Sequence, residues 1–294
     1  MVIDKPGGMT SHDVVNRLRK ITGERSIGHL GTLDPMASGV LPLLLGRFTR
    51  LAQFFSAAEK SYAGTIRFGY ATDTYDAEGE KVGDSVEPSL TLDQVRGAAV
   101  RFLGTMEQMP PAFSAKKVGG VPAYKMARAG KAVELKPATI SISRFEIVRL
   151  EGGDAAFEMS VSAGGYVRSV AHELGRDLGC GAHLASLRRT QAGAFTLAQA
   201  KTLEDLATQA GNLEALSDLC VHPRALLPEM PTVTGDPLAL GRLRNGAQAN
   251  LPEFSSASLV KVFATQRELL GVAKRVAGTL FQPVVILSGG TSQK

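Results

Sequence analysis

Hydrophobic positions recur every three to four residues in three segments, and this spacing predicts amphipathic helices. The first two segments share a start signal, a threonine followed three residues later by Asp or Gln, which is the pattern of a capping box. A glycine follows each apolar run, and glycine readily adopts the left-handed conformation that ends a helix. We predict helices capped at Thr10 and ended by Gly23, capped at Thr91 and ended by Gly104, and running from about Tyr166 to Leu178 before Gly179.

Alternating apolar and polar positions predict strands elsewhere in the chain. The predicted strands run over 1–3, 62–68, 140–150 and 155–163, and a turn at 152–154 joins the last two into a hairpin. The preceding segment, residues 105–138, is rich in Met, Pro, Lys and Gly. We expect this segment to be irregular, and long irregular connections are usually functional or mobile.

The character of the chain changes after residue 228. Prolines at positions 228, 231 and 237 punctuate a linker, and short strand patterns follow over 259–264, 268–276 and 282–287. These strands predict a small all-β unit near the lower size limit for independent folding. We therefore expect two domains, residues 1–228 and residues 229–294.

Composition narrows the class of protein. Hydrophobic residues make up 44% of the chain and charged residues 21%, so a sizeable core can form and a disordered chain is excluded. No apolar run reaches the roughly 18 residues of a membrane helix. The start of the sequence has no basic leader followed by an apolar stretch, so we expect no signal peptide and a cytoplasmic location. Only two cysteines occur, and we expect both to be reduced. The net charge of +5 is compatible with a polyanionic partner.

The segment 28–42 is the most informative part of the chain. Glycines and prolines surround Asp34 in the sequence Gly-His-Leu-Gly-Thr-Leu-Asp-Pro-Met-Ala-Ser-Gly-Val-Leu-Pro, which predicts a shaped loop. The apolar residues among them predict that the loop packs on the core. A carboxylate held on such a loop can act as a nucleophile or as a base. The local spacing also permits a purely structural interpretation, because Asp-Pro commonly begins a turn.

Seven segments, in order along the chain, resemble the motifs of the TruB-type pseudouridine synthases. They are Ile3-Asp4-Lys5-Pro6 with Gly8-Met9-Thr10-Ser11, the segment 28–42, Lys60-Ser61-Tyr62, the acidic loop 72–79, Gln108-Met109-Pro110-Pro111, Gly165-Tyr166-Val167-Arg168-Ser169, and 179–184 with Leu187-Arg188-Arg189. One such motif is weak evidence for a family, whereas the ordered set from Ile3 to Arg189 is specific to this family. Two positions depart from the family, because Leu30 and Gly165 stand where Thr is usual.

The resemblance implies a fold and an activity. The fold is α+β, a pseudouridine synthase fold with a mixed, largely antiparallel sheet flanked by helices, followed by a small C-terminal β domain of the PUA-like type. The activity is isomerisation of uridine to pseudouridine at position 55 in the T loop of tRNA, through a flipped base whose C1′–N1 bond is replaced by a C1′–C5 bond. Such a rearrangement involves no redox change and no external group, so no cofactor and no metal are expected. The implied protein is a monomer that acts on the tRNA T arm without a guide RNA and without a membrane.

The resemblance assigns three residues to catalysis. Asp34 is the implied nucleophile or base, and attack on the sugar and its deprotonation both stay open. Arg168 is expected to pair with Asp34, to keep it ionised by lowering its pKa, and to fix its direction. Tyr62 is expected to stack on the uracil near C5, where its phenol can assist proton transfer. Without the resemblance, a surface position is the commoner outcome for a residue such as Arg168, and simple packing is the commoner outcome for a strand residue such as Tyr62.

Five further residues are expected to bind substrate. Tyr166 and Leu187 would line the uridine pocket, His29 would fill the stack that the flipped base leaves, Asp76 would hydrogen-bond toward RNA, and Lys117 would contact phosphate. Core packing for Tyr166 and Leu187, and a turn cap for His29, remain the structural alternatives.

A basic cluster lies within the segment 105–138, which resembles the RNA-clasping insertion of the family. Its members are Lys116, Lys117, Lys125, Arg128, Lys131 and Lys136. Sequence-independent phosphate contact is the expected use, and a solvated, mobile loop is the alternative. The C-terminal unit is expected to contact the acceptor stem, or else only to stabilise the protein.

Two other groups have the composition of a metal site without its spacing. Asp73, Asp76 and Glu78 lack oxygen ligands at the alternate positions of a calcium loop, so a turn and RNA-facing hydrogen bonds explain them better. Cys180 and His183 have a Cys-x-x-His spacing but no second ligand pair for a structural zinc.

Three other functions compete with the stand-alone tRNA enzyme. A guide-dependent RNA-modifying subunit would carry lysine-rich extensions, which this chain lacks. A non-catalytic RNA chaperone or binding module would not need Asp34, Tyr62 and Arg168 together. A carboxylate hydrolase would need a second catalytic carboxylate, and nothing in the sequence selects one.

Overall fold

The computed structural model describes residues 1–114, 116–129 and 135–287. Its strands are β1 (Val2–Lys5), β2 (Ile27–His29), β3 (Ser38–Leu45), β4 (Lys60–Phe68), β5 (Ala71–Thr72), β6 (Lys81–Val82), β7 (Gly104–Gln108), β8 (Lys117–Val118), β9 (Val121–Pro122), β10 (Ala138–Glu151), β11 (Asp154–Val161), β12 (Ala182–Ala192), β13 (Phe195–Thr196), β14 (Thr232–Thr234), β15 (Ala249–Asn250), β16 (Leu259–Phe263), β17 (Leu269–Ala277) and β18 (Leu280–Ile286). Its α-helices are α1 (Ser11–Thr22), α2 (Leu92–Val100), α3 (Ala123–Arg128), α4 (Val167–Asp177), α5 (Leu203–Thr208), α6 (Leu213–Asp218) and α7 (Pro237–Arg244), and 3₁₀ turns lie at Gly46–Phe54, Leu197–Gln199 and Pro223–Ala225. None of the helices in these ranges combines the length and the apolar character that a membrane span needs.

Nine of the described strands form the main sheet. Their order is β1-β3-β12-β4-β11-β10-β7, with β2 beside β3 and β13 beside β12. β12 runs parallel to β3, whereas the other pairings in this sheet are antiparallel. A second sheet has the order β14-β16-β17-β18-β15. The predicted α+β fold, with a mixed, largely antiparallel sheet and a C-terminal β unit, is therefore confirmed.

The predicted helix starts are confirmed by the side chains that cap them. Thr10 and Asp13 form a capping box at the start of α1, and Thr91 and Gln94 form another at the start of α2. Gly23 ends α1 in the left-handed conformation, with a φ of 72°. Apolar faces of α1, α2 and α4 pack with the inward residues of the main sheet in one continuous core.

A second apolar cluster joins the two sheets. Val2 and Val40 of the main sheet pack with Phe263 and Leu269 of the second sheet. Arg47, in the 3₁₀ turn after β3, donates a hydrogen bond to the Leu287 carbonyl oxygen at 3.1 Å. The C-terminal unit is therefore held against the N-terminal part by both apolar contact and hydrogen bonding.

Two predictions about the region after α2 are wrong. The helix ends at Val100 rather than at Gly104, because the chain tightens into a turn in which the Phe102 amide donates to the Ala99 carbonyl oxygen at 3.0 Å. Gly104 instead begins β7, where it pairs with Ile142 of β10.

The segment 105–138 is not irregular in its described part, since it holds most of β7, then β8, β9 and α3. β7 is ordered by edge pairing with the distant β10, which no local period signals, whereas β8 and β9 pair with each other.

Two central strands and several short helices were not predicted. β3 is buried along nearly its whole length, so it shows a continuous apolar run instead of an alternation. β12 lies between β3 and β4, and the sequence analysis treated it only as motifs. Helix α7 adds to the strands of the C-terminal unit, which is therefore not all-β.

Gly64 of β4 offers a test of how tightly the centre of the sheet is packed. β12 has an irregular register between Leu184 and Ser186. A Cβ at Gly64 would lie 2.4 Å from the Ser186 carbonyl oxygen and 3.0 Å from the Phe157 ring. We predict that Gly64→Ala lowers the free energy of unfolding by about 1–3 kcal/mol, because overpacking displaces neighbours, as measured by urea denaturation.

Gly97 in the exposed face of α2 provides the matched control. A Cβ there meets nothing within 4 Å. Gly97→Ala should raise the free energy of unfolding by about 0.5–1 kcal/mol, because alanine favours the helix. Effects of the same sign for the two substitutions would contradict this view of the sheet.

Candidate active site

A cleft of about 500 Å³ opens at the centre of the main sheet. Its walls include Asp34, Tyr62, Tyr166, Arg168 and Leu187, which the sequence analysis predicted as site residues. The volume lies in the range that is typical of small-molecule pockets. The fold therefore brings together five residues that are spread over more than half of the chain.

The loop that carries Asp34 is tied to the N-terminal segment. The Ser11 hydroxyl accepts a hydrogen bond from the Leu33 amide at 2.8 Å and donates to the Leu33 carbonyl oxygen at 3.1 Å. The buried Lys5 ammonium group donates to the Pro35 carbonyl oxygen at 3.3 Å. Backbone groups on both sides of Asp34 are thus fixed by buried polar side chains, and the carboxylate itself is not needed for this.

Asp34 begins a turn and also points its carboxylate at a charged partner. Its carbonyl oxygen accepts a hydrogen bond from the Ala37 amide at 3.1 Å, as the turn interpretation expects. Its carboxylate contacts Arg168, with Nε to Oδ2 at 2.9 Å and Nη2 to Oδ1 at 3.2 Å. Such two-point contact fixes the direction of the carboxylate as well as its position.

Arg168 is held by four partners and is only 5% exposed. Besides Asp34, it contacts Asp76, with Nη1 to Oδ2 at 3.3 Å. It also donates to the carbonyl oxygens of Thr74 at 3.0 Å and Phe113 at 2.9 Å. The guanidinium group therefore has no freedom to leave Asp34, and the structure does not place Arg168 on the surface.

Segment 108–113 fixes the start of α4, the helix that carries Arg168. The buried Gln108 side chain accepts from the Tyr166 amide at 2.8 Å and donates to the Tyr166 carbonyl oxygen at 3.0 Å. The Ser169 hydroxyl donates to the Met109 carbonyl oxygen at 3.1 Å. Sequence analysis did not single out these positioning contacts, since they join β7 to a helix nearly 60 residues later.

The sheet itself positions Tyr62 and Leu187. Tyr62 on β4 is flanked by Met159 on β11 and Arg189 on β12. Leu187 is the cross-strand partner of Gly64, two residues along β4. Because residues two apart on a strand share a face, Tyr62 and Leu187 present their side chains on the same side of the sheet.

Burial raises the pKa of the Asp34 carboxyl group above its ordinary value. Arg168 opposes this rise, and the nearby carboxylate of Asp76 adds to it. Arg168 therefore acts on this pKa in the predicted direction, but the net shift is upward rather than downward. Desolvation in the cleft outweighs the ion pair, and burial could not be read from the local sequence.

The prediction that Asp76 faces outward toward RNA does not match its orientation, because its side chain points inward. Its side chain is 5% exposed, and its carboxylate accepts from the Thr74 hydroxyl at 2.6 Å and the Glu78 amide at 3.1 Å as well as contacting Arg168. The inward orientation arises because Arg168 offers a buried positive charge. A direct substrate contact by Asp76 stays a prediction, whereas its contact with Arg168 is plain in the geometry.

The outcome differs for the other two predicted substrate residues. His29 ends β2 and is half-buried, but it is not among the residues that line the cleft. Lys117 lies in β8, and its side chain is not described by the structure. Its neighbour Lys116 lines the cleft. Of the remaining basic cluster, Lys131 and the side chain of Arg128 also lie outside the described part.

The two departures from the family pattern fit their surroundings. Leu30 packs against the apolar cluster that joins the two sheets. A Cβ at Gly165 would lie 2.3 Å from Cγ2 of Val161, so the chain can approach β11 closely only without a side chain there. Neither departure removes a cleft residue.

Arg189, Lys60 and Lys5 are site residues to which the sequence analysis gave no role. Arg189 and Lys60 line the cleft, and the Lys5 ammonium group lies behind the Asp34 loop. All three occur within the family-like motifs, and this position in the motifs was the one sequence signal that could have indicated a role for them. Their roles depend on neighbours from other strands, so the motifs alone did not separate them from adjacent residues.

Comparison with known proteins places this fold and cleft in one class. Residues 19–167 match the N-terminal domain of the TruB family pseudouridylate synthases, and residues 168–224 match the C-terminal domain of tRNA pseudouridylate synthase B. Among solved structures, a Cbf5–Nop10–Gar1 complex aligns with a TM-score of 0.72 at 26% identity, covering 98% of this chain and 85% of the matched chain. An archaeal box H/ACA sRNP Nop10–Cbf5 complex aligns with a TM-score of 0.70 at 26% identity, covering 98% and 86%.

Curated relatives extend over almost the whole chain. The tRNA pseudouridine synthase B of Solibacter usitatus is 44% identical over 98% of this chain and 99% of its own length. That of Arthrobacter sp. is 40% identical over 100% of this chain and 97% of its own length. The fold is that of a pseudouridine synthase, an isomerase. The chain belongs to the TruB family of pseudouridylate synthases.

The raised pKa of Asp34 predicts a particular pH dependence of stability. A carboxyl group whose pKa is raised by folding binds its proton more tightly in the folded state. Its contribution is therefore full below the ordinary value of 3.8 and is lost as the pH rises through the folded pKa. The free energy of unfolding of the wild type minus that of Asp34→Asn should thus fall as the pH rises above the ordinary value of 3.8. Urea denaturation of both proteins at a series of pH values measures this difference in the free energy of unfolding.

Asp154 supplies a control with the opposite shift. Hydrogen bonding to Arg67, at 2.7 Å, lowers the pKa of this carboxyl group. Its stabilising contribution is lost only as the pH falls through that lowered pKa, so the difference between the wild type and Asp154→Asn should stay nearly flat over the same pH range. A flat profile for Asp34→Asn as well would show that burial does not raise the Asp34 pKa.

Proposed function

We propose that this chain isomerises a uridine of tRNA to pseudouridine, at position 55 in the T loop, with Asp34 as the nucleophile or base. The names of its curated relatives support tRNA as the substrate. The observation that carries the assignment of Asp34 is its carboxylate, fixed by two nitrogen atoms of Arg168 yet 34% exposed. An oriented and accessible carboxylate in a cleft can reach the sugar of a bound nucleotide.

The reaction needs only groups that the cleft contains. The C1′–N1 bond breaks, the uracil turns, and the C1′–C5 bond forms, while the proton leaves C5 and N1 gains one. The nucleoside keeps its composition, so no co-reactant enters the balance. Asp34 acts on the sugar, by attack or by deprotonation, and Arg168 holds it in line for either course. Tyr62 is the cleft residue whose phenol can stack on the uracil and assist proton transfer at C5.

The uridine must leave its stack to reach this cleft. Extrusion costs a few kcal/mol, which contacts in the pocket offset. Tyr166 and Leu187 supply the ring and the apolar wall that retain the detached base. His29 and Lys117 are proposed to act on the surrounding RNA, His29 in the vacated stack and Lys117 on phosphate. Asp76 contacts Arg168, which lines the cleft. No guide RNA is needed in this scheme, because the tRNA itself is the folded substrate.

The two-domain division supports the same function. We place the boundary after residue 228, because the second sheet begins at Thr232 and continues to Ile286. Residues 1–228 contain the cleft. The C-terminal unit is proposed to extend the RNA contact toward the acceptor stem, and its apolar attachment near β1 and β3 keeps it in a fixed position relative to the cleft.

Loss of the Asp34 nucleophile is the direct test of this function. Purified protein, without metal or guide RNA, should release tritium from an unmodified tRNA transcript labelled at uridine C5. Asp34→Asn should abolish release while tRNA binding persists, because the amide keeps the size of the side chain but is neither a nucleophile nor a base. A transcript with cytidine at position 55 should show no release at the T loop.

Asp84→Asn is the matched control, since it removes the same charge from an exposed loop residue that does not line the cleft. It should keep the wild-type rate. Tight tRNA binding by the wild type with no tritium release would favour a non-catalytic binding protein. Full activity of Asp34→Asn would remove Asp34 from the mechanism.

A further inference from the structure

Arg189 binds both ends of the loop that carries Asp34. Its side chain is 1% exposed. Nη2 donates to the Gly31 carbonyl oxygen at 3.1 Å, Nη1 donates to that of Thr32 at 3.4 Å, and Nε donates to that of Val40 at 2.7 Å. One guanidinium group therefore joins the entry and the exit of the loop, while Arg168 holds the Asp34 carboxylate.

Arg189 also lies beside Tyr62. The two residues are direct cross-strand partners on β12 and β4, and both line the cleft. The positive charge of Arg189 favours the ionised phenol of Tyr62 and so opposes the rise of its pKa that burial causes. Arg189 thus connects the Asp34 loop to the strand that carries the phenol.

The charge of Arg189 is not needed for an ion pair. Among the described residues, no carboxylate lies within ion-pair distance of it. Its charge acts on Lys60 and His29, which are basic and whose pKa values are lowered by burial and by this nearby cation. A buried cation without a counter-ion is costly, and an apolar side chain would fill the space with less cost. What the guanidinium group contributes is its set of directed hydrogen bonds.

We propose that Arg189 is a positioning residue that fixes the Asp34 loop relative to Tyr62, its cross-strand partner on β4. The inference rests on the proposed function, because Asp34 and Tyr62 are the groups it aligns. Arg189 acts through these two residues and does not act on the uridine itself. A rigid group that binds the loop at two ends, from a strand that pairs directly with β4, keeps both reacting groups in register during base rotation.

Arg189→Lys tests the positioning role while keeping the buried charge. A lysine has one nitrogen and cannot bridge the three carbonyl oxygens. The single-turnover rate of tritium release should fall by about 100-fold, which is the expected cost of a misplacement of about 1 Å. The dissociation constant for tRNA should stay within about threefold of the wild type, since the loss lies in the reacting geometry.

The Tyr62 phenol gives a second readout that needs no RNA. Burial raises the pKa of Tyr62, Arg189 opposes that rise, and Asp34 adds to it. Phenolate absorption, taken as the difference between each protein and its Tyr62→Phe counterpart, measures this pKa. Arg189→Met should raise it further because the cation is gone, whereas Arg189→Lys should leave it close to the wild type. If Arg189→Met does not fold, the Arg189→Lys results carry the test.

Arg188→Lys is the matched control on the same strand. Arg188 does not line the cleft, and its Nη2 donates to the Asp4 carboxylate at 2.7 Å. Arg188→Lys should keep the wild-type rate of tritium release and the wild-type pKa of Tyr62. A wild-type rate in Arg189→Lys would overturn the inference, as would a loss of rate matched by an equal loss of tRNA affinity or of folding. An inactive wild type would instead refute the proposed function.

Discussion

The close parallel contact between β3 and β12 is the constraint on which the cleft depends. Gly39 of β3 faces Arg189 of β12, and a Cβ at Gly39 would lie 2.2 Å from the Arg189 carbonyl oxygen. The φ of 101° at Gly39 is also one that side chains rarely adopt. Because the Asp34 loop leads directly into β3, this contact sets the loop beside β12. β12 in turn pairs with β4, which brings Tyr62 to the same place.

A buried arginine between two carboxylates organises the charges of the cleft. Arg168 contacts Asp34 and Asp76 and fills its remaining donors with backbone carbonyl oxygens. The desolvation of these groups is unfavourable, and it shows in the raised pKa of Asp34. The benefit is a carboxylate that is already aligned before substrate arrives. Groups that are aligned in advance need no reorganisation when the reaction takes place.

Local signals predicted the parts of the fold that depend on neighbouring residues. The capping boxes at Thr10 and Thr91 start helices where expected, because a cap is completed within four residues. The hairpin of β10 and β11 was likewise predicted, since its strands are joined by a short turn. β3 and β12 were not predicted, because each is defined by pairing with strands far along the chain. The same reason explains the undetected β7, whereas α2 ends early in a local turn.

The sequence by itself determined the family and five residues of the cleft. The ordered motifs carried Asp34, Tyr62 and Arg168, and the structure brings these three together. Only the tertiary structure decided the direction of the Asp34 pKa, the inward orientation of Asp76 and the reach of Arg189. The physical reason is that burial and hydrogen-bond partners are supplied by residues from other strands. A motif specifies which side chains are present, but the packing of distant segments decides which charges lose their water and which groups they bind.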